Sequence, residues 1–112
     1  PICHPSDCPW GVKAFSGYLG DDVERWARWD ATLLVPSATE RLPLLVDQGT
    51  ADNFLAEQLR PEALVDACQK SGHPIELRMQ SGYDHSYFFI ASFIDEHLDH
   101  HAAALGLPLQ PQ

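Results

Sequence analysis

The period of apolar and polar positions changes along the chain. Leu44-Leu45-Val46 is a short, wholly apolar run between turn signals. That pattern predicts a strand buried on both faces, as in a parallel sheet. Ile75-Glu76-Leu77-Arg78-Met79 alternates apolar and polar residues, which predicts a second strand near a sheet edge. From Ser86 to about Leu105 the period becomes helical, with Phe89, Ile90, Phe93, Ile94 and Leu98 on one stripe. Pro61 suits the first turn of a helix that runs to about residue 71, and Gly72 suits its stop. Leu64, Val65, Ala67 and Cys68 supply the inward side of that helix. Upstream, Asp21 or Asp22 caps a helix expected from about 22 to 34, with Val23, Trp26, Ala27 and the Trp29/Asp30 edge as its buried stripe. Pro1, Pro5, Pro9 and Gly11 predict loop over residues 1–11. A short helical turn over 12–19, a polar connection over 36–43, a loop with some helical character over 50–60 and a frayed tail from Gly106 complete the reading.

Strand, helix, strand, helix is an α/β order, and the crossover suits parallel pairing. Two parallel strands cannot cover both faces and both edges of a sheet. Leu44–Val46 would leave an open edge and an apolar face. The chain is therefore expected to need a partner segment, and in isolation to self-associate through that edge as a homo-oligomer.

At 112 residues the sequence holds one small domain and begins at Pro1 without an initiating Met, so a processed or excised fragment is expected. The net charge of −9 argues against nucleic acid, because phosphate binding needs a basic face. No apolar stretch approaches the length of a membrane span. Three cysteines (Cys3, Cys8, Cys68) without a secretory signal point to reduced thiols and a cytoplasmic setting. Cys68 belongs to the helix core. Cys3 and Cys8 lack two further ligands at matching spacing, so no metal is expected there. His97, His100 and His101 share a helix face at spacings that can chelate a surface ion, but the expected reading is a polar face near a helix C-terminus.

The chemistry centres on two loops. Gly82-Tyr83-Asp84-His85-Ser86 places a histidine between the second strand and the last helix. Gln48-Gly49-Thr50-Ala51-Asp52 places a carboxylate after the first strand. In a parallel sheet both loops leave from the same C-terminal edge, where active sites gather. A neutral imidazole can take a proton from a serine hydroxyl when a carboxylate fixes its tautomer. Asp47, Asp52 and Asp84 compete as that carboxylate. Asp47 sits at the strand end and can serve the turn, Asp84 adjoins His85 too closely in sequence, and Asp52 has the loop reach. No Gly-x-Ser-x-Gly elbow is present. Ser16, Ser81 and Ser86 lack the paired glycines of such an elbow.

An ordered series of segments carries a resemblance. It runs Pro1-Ile2-Cys3, Cys8-Pro9-Trp10-Gly11-Val12-Lys13-Ala14-Phe15, Tyr18-Leu19-Gly20, Asp47-Gln48-Gly49, Asp52, Asn53-Phe54-Leu55, Gln58-Leu59-Arg60-Pro61 and Gly82-Tyr83-Asp84-His85-Ser86-Tyr87. It continues through Phe89-Ile90-Ala91 to His100-His101. Over residues 1–104 the sequence resembles the C-terminal part of the S-formylglutathione hydrolases, the esterase D family. The resemblance implies the last parallel strands and flanking helices of an α/β-hydrolase fold. It implies a serine esterase that splits S-formylglutathione into glutathione and formate, in formaldehyde detoxification, without cofactor or metal. It also implies that Asp52 is the triad acid, that His85 is the base, and that Trp10 lines the acyl side of the pocket. The family's serine lies in a Gly-His-Ser-Met-Gly-Gly elbow upstream of the segments matched, in an N-terminal half that this chain would need as its partner. A broad-specificity carboxylesterase of the same superfamily, or an inactive fragment lacking the nucleophile, are the rival readings.

Overall fold

The computed structural model describes residues 5–108. Its centre is a two-stranded parallel sheet of β1 (Leu44–Gly49) and β2 (Ile75–Gln80), in register from Leu44 opposite Ile75 to Gly49 opposite Gln80. The crossover between them holds a π-helical turn, Leu55–Leu59, and a helix, Pro61–Ser71. Before the sheet come α1 (Pro9–Leu19), α2 (Val23–Trp26) and α3 (Ala31–Leu34), with 3-10 turns at Pro5–Asp7, Ala27–Trp29 and Val35–Ser37. The crossover helix is α4, and α5 is Tyr87–Ala104.

Strand alternation sends successive side chains to opposite faces. Leu44 and Ile75 pack on Val35, Leu64 and Cys68, the buried cluster under α4. Asp47 and Arg78 point to the other face, toward His97 and Glu96 of α5. The result is three layers: α4 with the preceding turns, the sheet, then α5.

Local chemistry explains the element ends. Pro61 occupies the first turn of α4, and Gly72 ends it at φ 69°, donating its N–H to the carbonyls of Cys68 and Gln69. Arg60 adopts φ 44°, left-handed for a non-glycine. The residue before a proline is disfavoured in the right-handed helical region, and here the π-helical turn closes against it, with Arg60 N–H on the Leu55 carbonyl at 2.9 Å. Ser86 caps α5 by accepting from Phe89 N–H.

The N-terminal third differs from its sequence pattern. Helix α1 starts at Pro9 rather than near residue 12, because a proline is tolerated at a helix start. The helix expected over 22–34 is broken in two. Asp22 does cap, through Glu24 N–H at 3.1 Å, but Asp30 is extended (φ −99°, ψ 110°) and caps a new helix through Thr32 N–H at 3.0 Å. A buried aspartate that bonds its own backbone offers the chain an alternative to continuing the helix. Of the expected stripe Trp26 is buried, whereas Val23 and Trp29 are exposed. Cys8 and Cys68 are buried free thiols. Cys3 and the last four residues lie outside the described residues.

The sheet leaves apolar surface open. No residue of α5 is buried, and Tyr87, Phe88, Ile90, Ile94 and Leu98 are exposed. The accessible surface is 7672 Å², roughly a quarter above the ~6,200 Å² expected for a folded monomer of this mass. The radius of gyration, 15.4 Å, likewise exceeds the ~13 Å expected for a compact chain of this length. Among the described residues no helix is long and apolar enough to cross a membrane.

Candidate active site

The loops after β1 and β2 are bonded to each other. Thr50 N–H donates to the Gln80 carbonyl at 3.0 Å, Ala51 N–H to the Tyr83 carbonyl at 2.9 Å, and Gly82 N–H to Thr50 Oγ1 at 2.9 Å. The approach requires glycine at position 49. A Cβ there would stand 2.2 Å from the Tyr83 carbonyl oxygen.

That clamp brings Asp52 and His85 together. His85 Nδ1 lies 2.8 Å from Asp52 Oδ2. Two further donors hold the carboxylate: Phe54 N–H on Oδ1 at 2.8 Å and the Gln48 amide on Oδ2 at 3.0 Å. Burial pushes the Asp52 carboxyl up, but the hydrogen bonds from Phe54, His85 and Gln48 outweigh it and hold the group below the usual carboxylate range. An ionised carboxylate only accepts. An imidazole hydrogen is therefore on Nδ1, and in the neutral ring the lone pair is on Nε2. Nε2 makes no hydrogen bond among the described residues, and the His85 side chain is half exposed while that of Asp52 is buried. This is the arrangement of a base held in one tautomer and open to a proton donor.

The other two carboxylates have different surroundings. The Asp47 side chain is buried and takes Arg78 Nε at 2.8 Å, Arg78 Nη2 at 2.5 Å, the Gln80 amide at 2.7 Å and His97 Nε2 at 2.8 Å. Burial raises its pKa, and Arg78, Gln80 and His97 bring it below the usual range. Arg78 also pairs with Glu96. Asp47 thus fastens α5 to the sheet instead of serving a turn. Asp84 is exposed and its carboxylate makes no hydrogen bond among the described residues.

Trp10, at the start of α1, reaches the same corner. Its backbone N–H donates to Gln58 Oε1 at 2.9 Å. Its ring lies 4.4 Å from Phe54 and 6.0 Å from His85, and Phe54 meets His85 edge-on at 5.3 Å. Beside His85 opens a cavity of about 590 Å³, lined by Gln48, Asp52, Leu59, His85, Phe89 and Ile90 among others; Trp10 and Phe54 touch the His85 ring but do not line the cavity. Phe54 and Gln48 carry only weak signals in the sequence. The signals are an aromatic two residues after a loop aspartate, where an Asx turn folds it back, and a glutamine ending an apolar strand. His97 and His100 turn toward β1, His97 to Asp47 and His100 to the Pro43 carbonyl at 3.3 Å, so the three histidines do not share one open face. Among the described residues no group of histidine, cysteine and carboxylate side chains is placed to hold a metal ion.

Residues 1–100 match the family model described as "Putative esterase". The chain belongs to this esterase family. It is 50% identical over 108 residues to the S-formylglutathione hydrolase of Rattus norvegicus, covering 95% of this chain and 38% of the rat protein. Among solved structures it is similar to an S-formylglutathione hydrolase from Agrobacterium tumefaciens. The TM-score is 0.83 at 43% identity, over 92% of this chain and 37% of that one. The chain thus spans less than two fifths of either relative. The layers described above are part of the esterase family's α/β-hydrolase fold.

Proposed function

We propose that this chain carries the acid and the base of a serine esterase that hydrolyses S-formylglutathione, with the nucleophilic serine on a segment that completes the sheet. The observation that supports the reading most is the 2.8 Å Asp52–His85 bond, with the second imidazole nitrogen left open beside a cavity. Similarity to two S-formylglutathione hydrolases supports that choice of substrate.

In the assembled enzyme His85 Nε2 takes the serine hydroxyl proton as the oxygen attacks the formyl carbonyl. The tetrahedral intermediate collapses, the C–S bond breaks, and the proton passes from Nε2 to the glutathione sulfur. A water then gives its proton to Nε2, attacks the formyl-serine, and releases formate as the proton returns to the serine. Asp52 keeps the Nδ1 hydrogen in place and stabilises the imidazolium. Trp10 and Phe54 pack against the His85 ring, and we assign them to the acyl side through that contact. The completing segment covers the open edge of β1 and the exposed apolar positions of α5. The buried free thiols Cys8 and Cys68 suit a reducing, cytoplasmic compartment.

The test is S-formylglutathione turnover by this chain mixed with the N-terminal part of a homologous enzyme. We expect turnover on mixing, reduced at least ~10³-fold by His85→Ala or Asp52→Asn. Association without turnover would refute the catalytic reading. Turnover by the chain alone would place a nucleophile within it. Faster cleavage of longer acyl esters than of the formyl thioester would favour the broad carboxylesterase.

A further inference from the structure

The Gln48 side chain is buried at the end of β1, and both neighbours of its amide nitrogen are acceptors: the Gly49 carbonyl at 3.1 Å and Asp52 Oδ2 at 3.0 Å. Two acceptors fix which end of the amide faces the carboxylate, since only the NH₂ end donates. Asp52 Oδ2 therefore receives two donors, Gln48 and His85, while Oδ1 receives the Phe54 N–H. The terminal torsion of an aspartate is soft and broad. The Phe54 bond alone leaves the carboxylate free to swing about it. With Gln48 removed, the group left on Oδ2 among the described residues is His85, the ring that Asp52 must itself orient.

We propose that Gln48 is a positioning residue for the Asp52–His85 pair: its amide locks the carboxylate plane, so that Oδ2 holds the Nδ1 hydrogen of His85. It anchors the pair to the sheet, because the same nitrogen is bonded to the last residue of β1. The kinetic consequence rests on the esterase reading, but the structural consequence does not.

Gln48→Leu and Gln48→Met remove the donor and keep an apolar side chain of similar bulk. In the chain itself, ¹⁵N NMR of the imidazole reads the tautomer of His85. We expect the Nδ1–H form to lose population in both variants and its proton to exchange faster with solvent. In the enzyme assembled with a homologous N-terminal part, kcat falls roughly 10- to 100-fold, a share of the ~10²–10⁴-fold that general acid–base catalysis supplies. KM moves less than about twofold, because the amide nitrogen of Gln48 is spent on Gly49 and Asp52 even though its side chain borders the cavity. Folded variants with an unchanged tautomer and unchanged kcat would overturn the proposal. So would loss of folding in both, which would make Gln48 a purely structural residue. An assembled wild type without turnover would sink the esterase reading, while the tautomer measurement would still decide the role of Gln48.

Discussion

The approach of the two loops at Gly49 can be broken by one methyl group. In Gly49→Ala the new Cβ stands 2.2 Å from the Tyr83 carbonyl oxygen, 2.7 Å from its carbon and 3.2 Å from the Asp84 carbonyl oxygen. All three neighbours are backbone, so none can swing aside as a flexible side chain would. Reaching an ordinary contact moves the 83–84 backbone by roughly 1 Å, the scale at which overpacking costs ~1–3 kcal/mol. The Ala51-to-Tyr83 bond, now 2.9 Å, is lost with the shift, which adds about 1 kcal/mol. We expect a loss of about 2–4 kcal/mol in urea unfolding. Tyr83 is two residues from His85, so the 2.8 Å bond to Asp52 stretches beyond the ~3.2 Å limit of a good hydrogen bond. A 1 Å error in placing such a group costs ~10²-fold in rate. Gly17→Ala is the control. It lies in α1 with nothing within 4 Å of its Cβ and gains about 0.5–1 kcal/mol from helix propensity. Equal stability of the two variants, with the His85–Asp52 bond intact by NMR, would refute the reasoning.

Four further outcomes are expected. Arg78→Met strands the buried Asp47 carboxylate and costs about 3 kcal/mol in denaturant unfolding; a loss below ~1 kcal/mol would make the pair dispensable. The folded pKa values of Asp47 and Asp52 lie below the ordinary 3.8, so their stabilisation is in place above 3.8 and is lost as the pH falls through the lower folded values. Asp47→Asn should flatten the acid limb of the stability profile, and an unchanged limb would contradict the assignment. Arg60→Gly relieves the left-handed strain of Arg60 and should raise stability by about 0.5 kcal/mol, the gain being trimmed by the entropy of glycine. Ile94→Ala should cost the isolated chain less than ~1 kcal/mol, because its side chain is already exposed. The same change should weaken association with the completing segment by about 1.5–3 kcal/mol, read by titration calorimetry; equal affinity would remove α5 from that interface.

Local rules made most of the elements legible. Pro61 and Gly72 bracket α4, Ser86 opens α5, and the apolar run at 44–46 and the alternation at 75–79 mark the two strands. Each signal lies in the residues of its own segment, which is why it survives in a linear reading. The order strand, Asp loop, helix, strand, His loop is likewise sequential, and with loop reach it points to Asp52 and His85 as the candidate pair. What the tertiary structure decided is everything that depends on partners far apart in the chain. Asp47, Asp52 and Asp84 are the same residue type, the first near the end of β1 and the other two in the loops after the strands. Only the fold puts Arg78 on the first, three donors on the second and solvent around the third. The break at Asp30 is also tertiary, since a helical pattern ran across it until burial favoured the cap. Gln48 and Gly49 carry no periodic signal at all. Their roles are set by the Asp52 carboxylate and the Tyr83 backbone, which reach β1 only once the parallel sheet has formed.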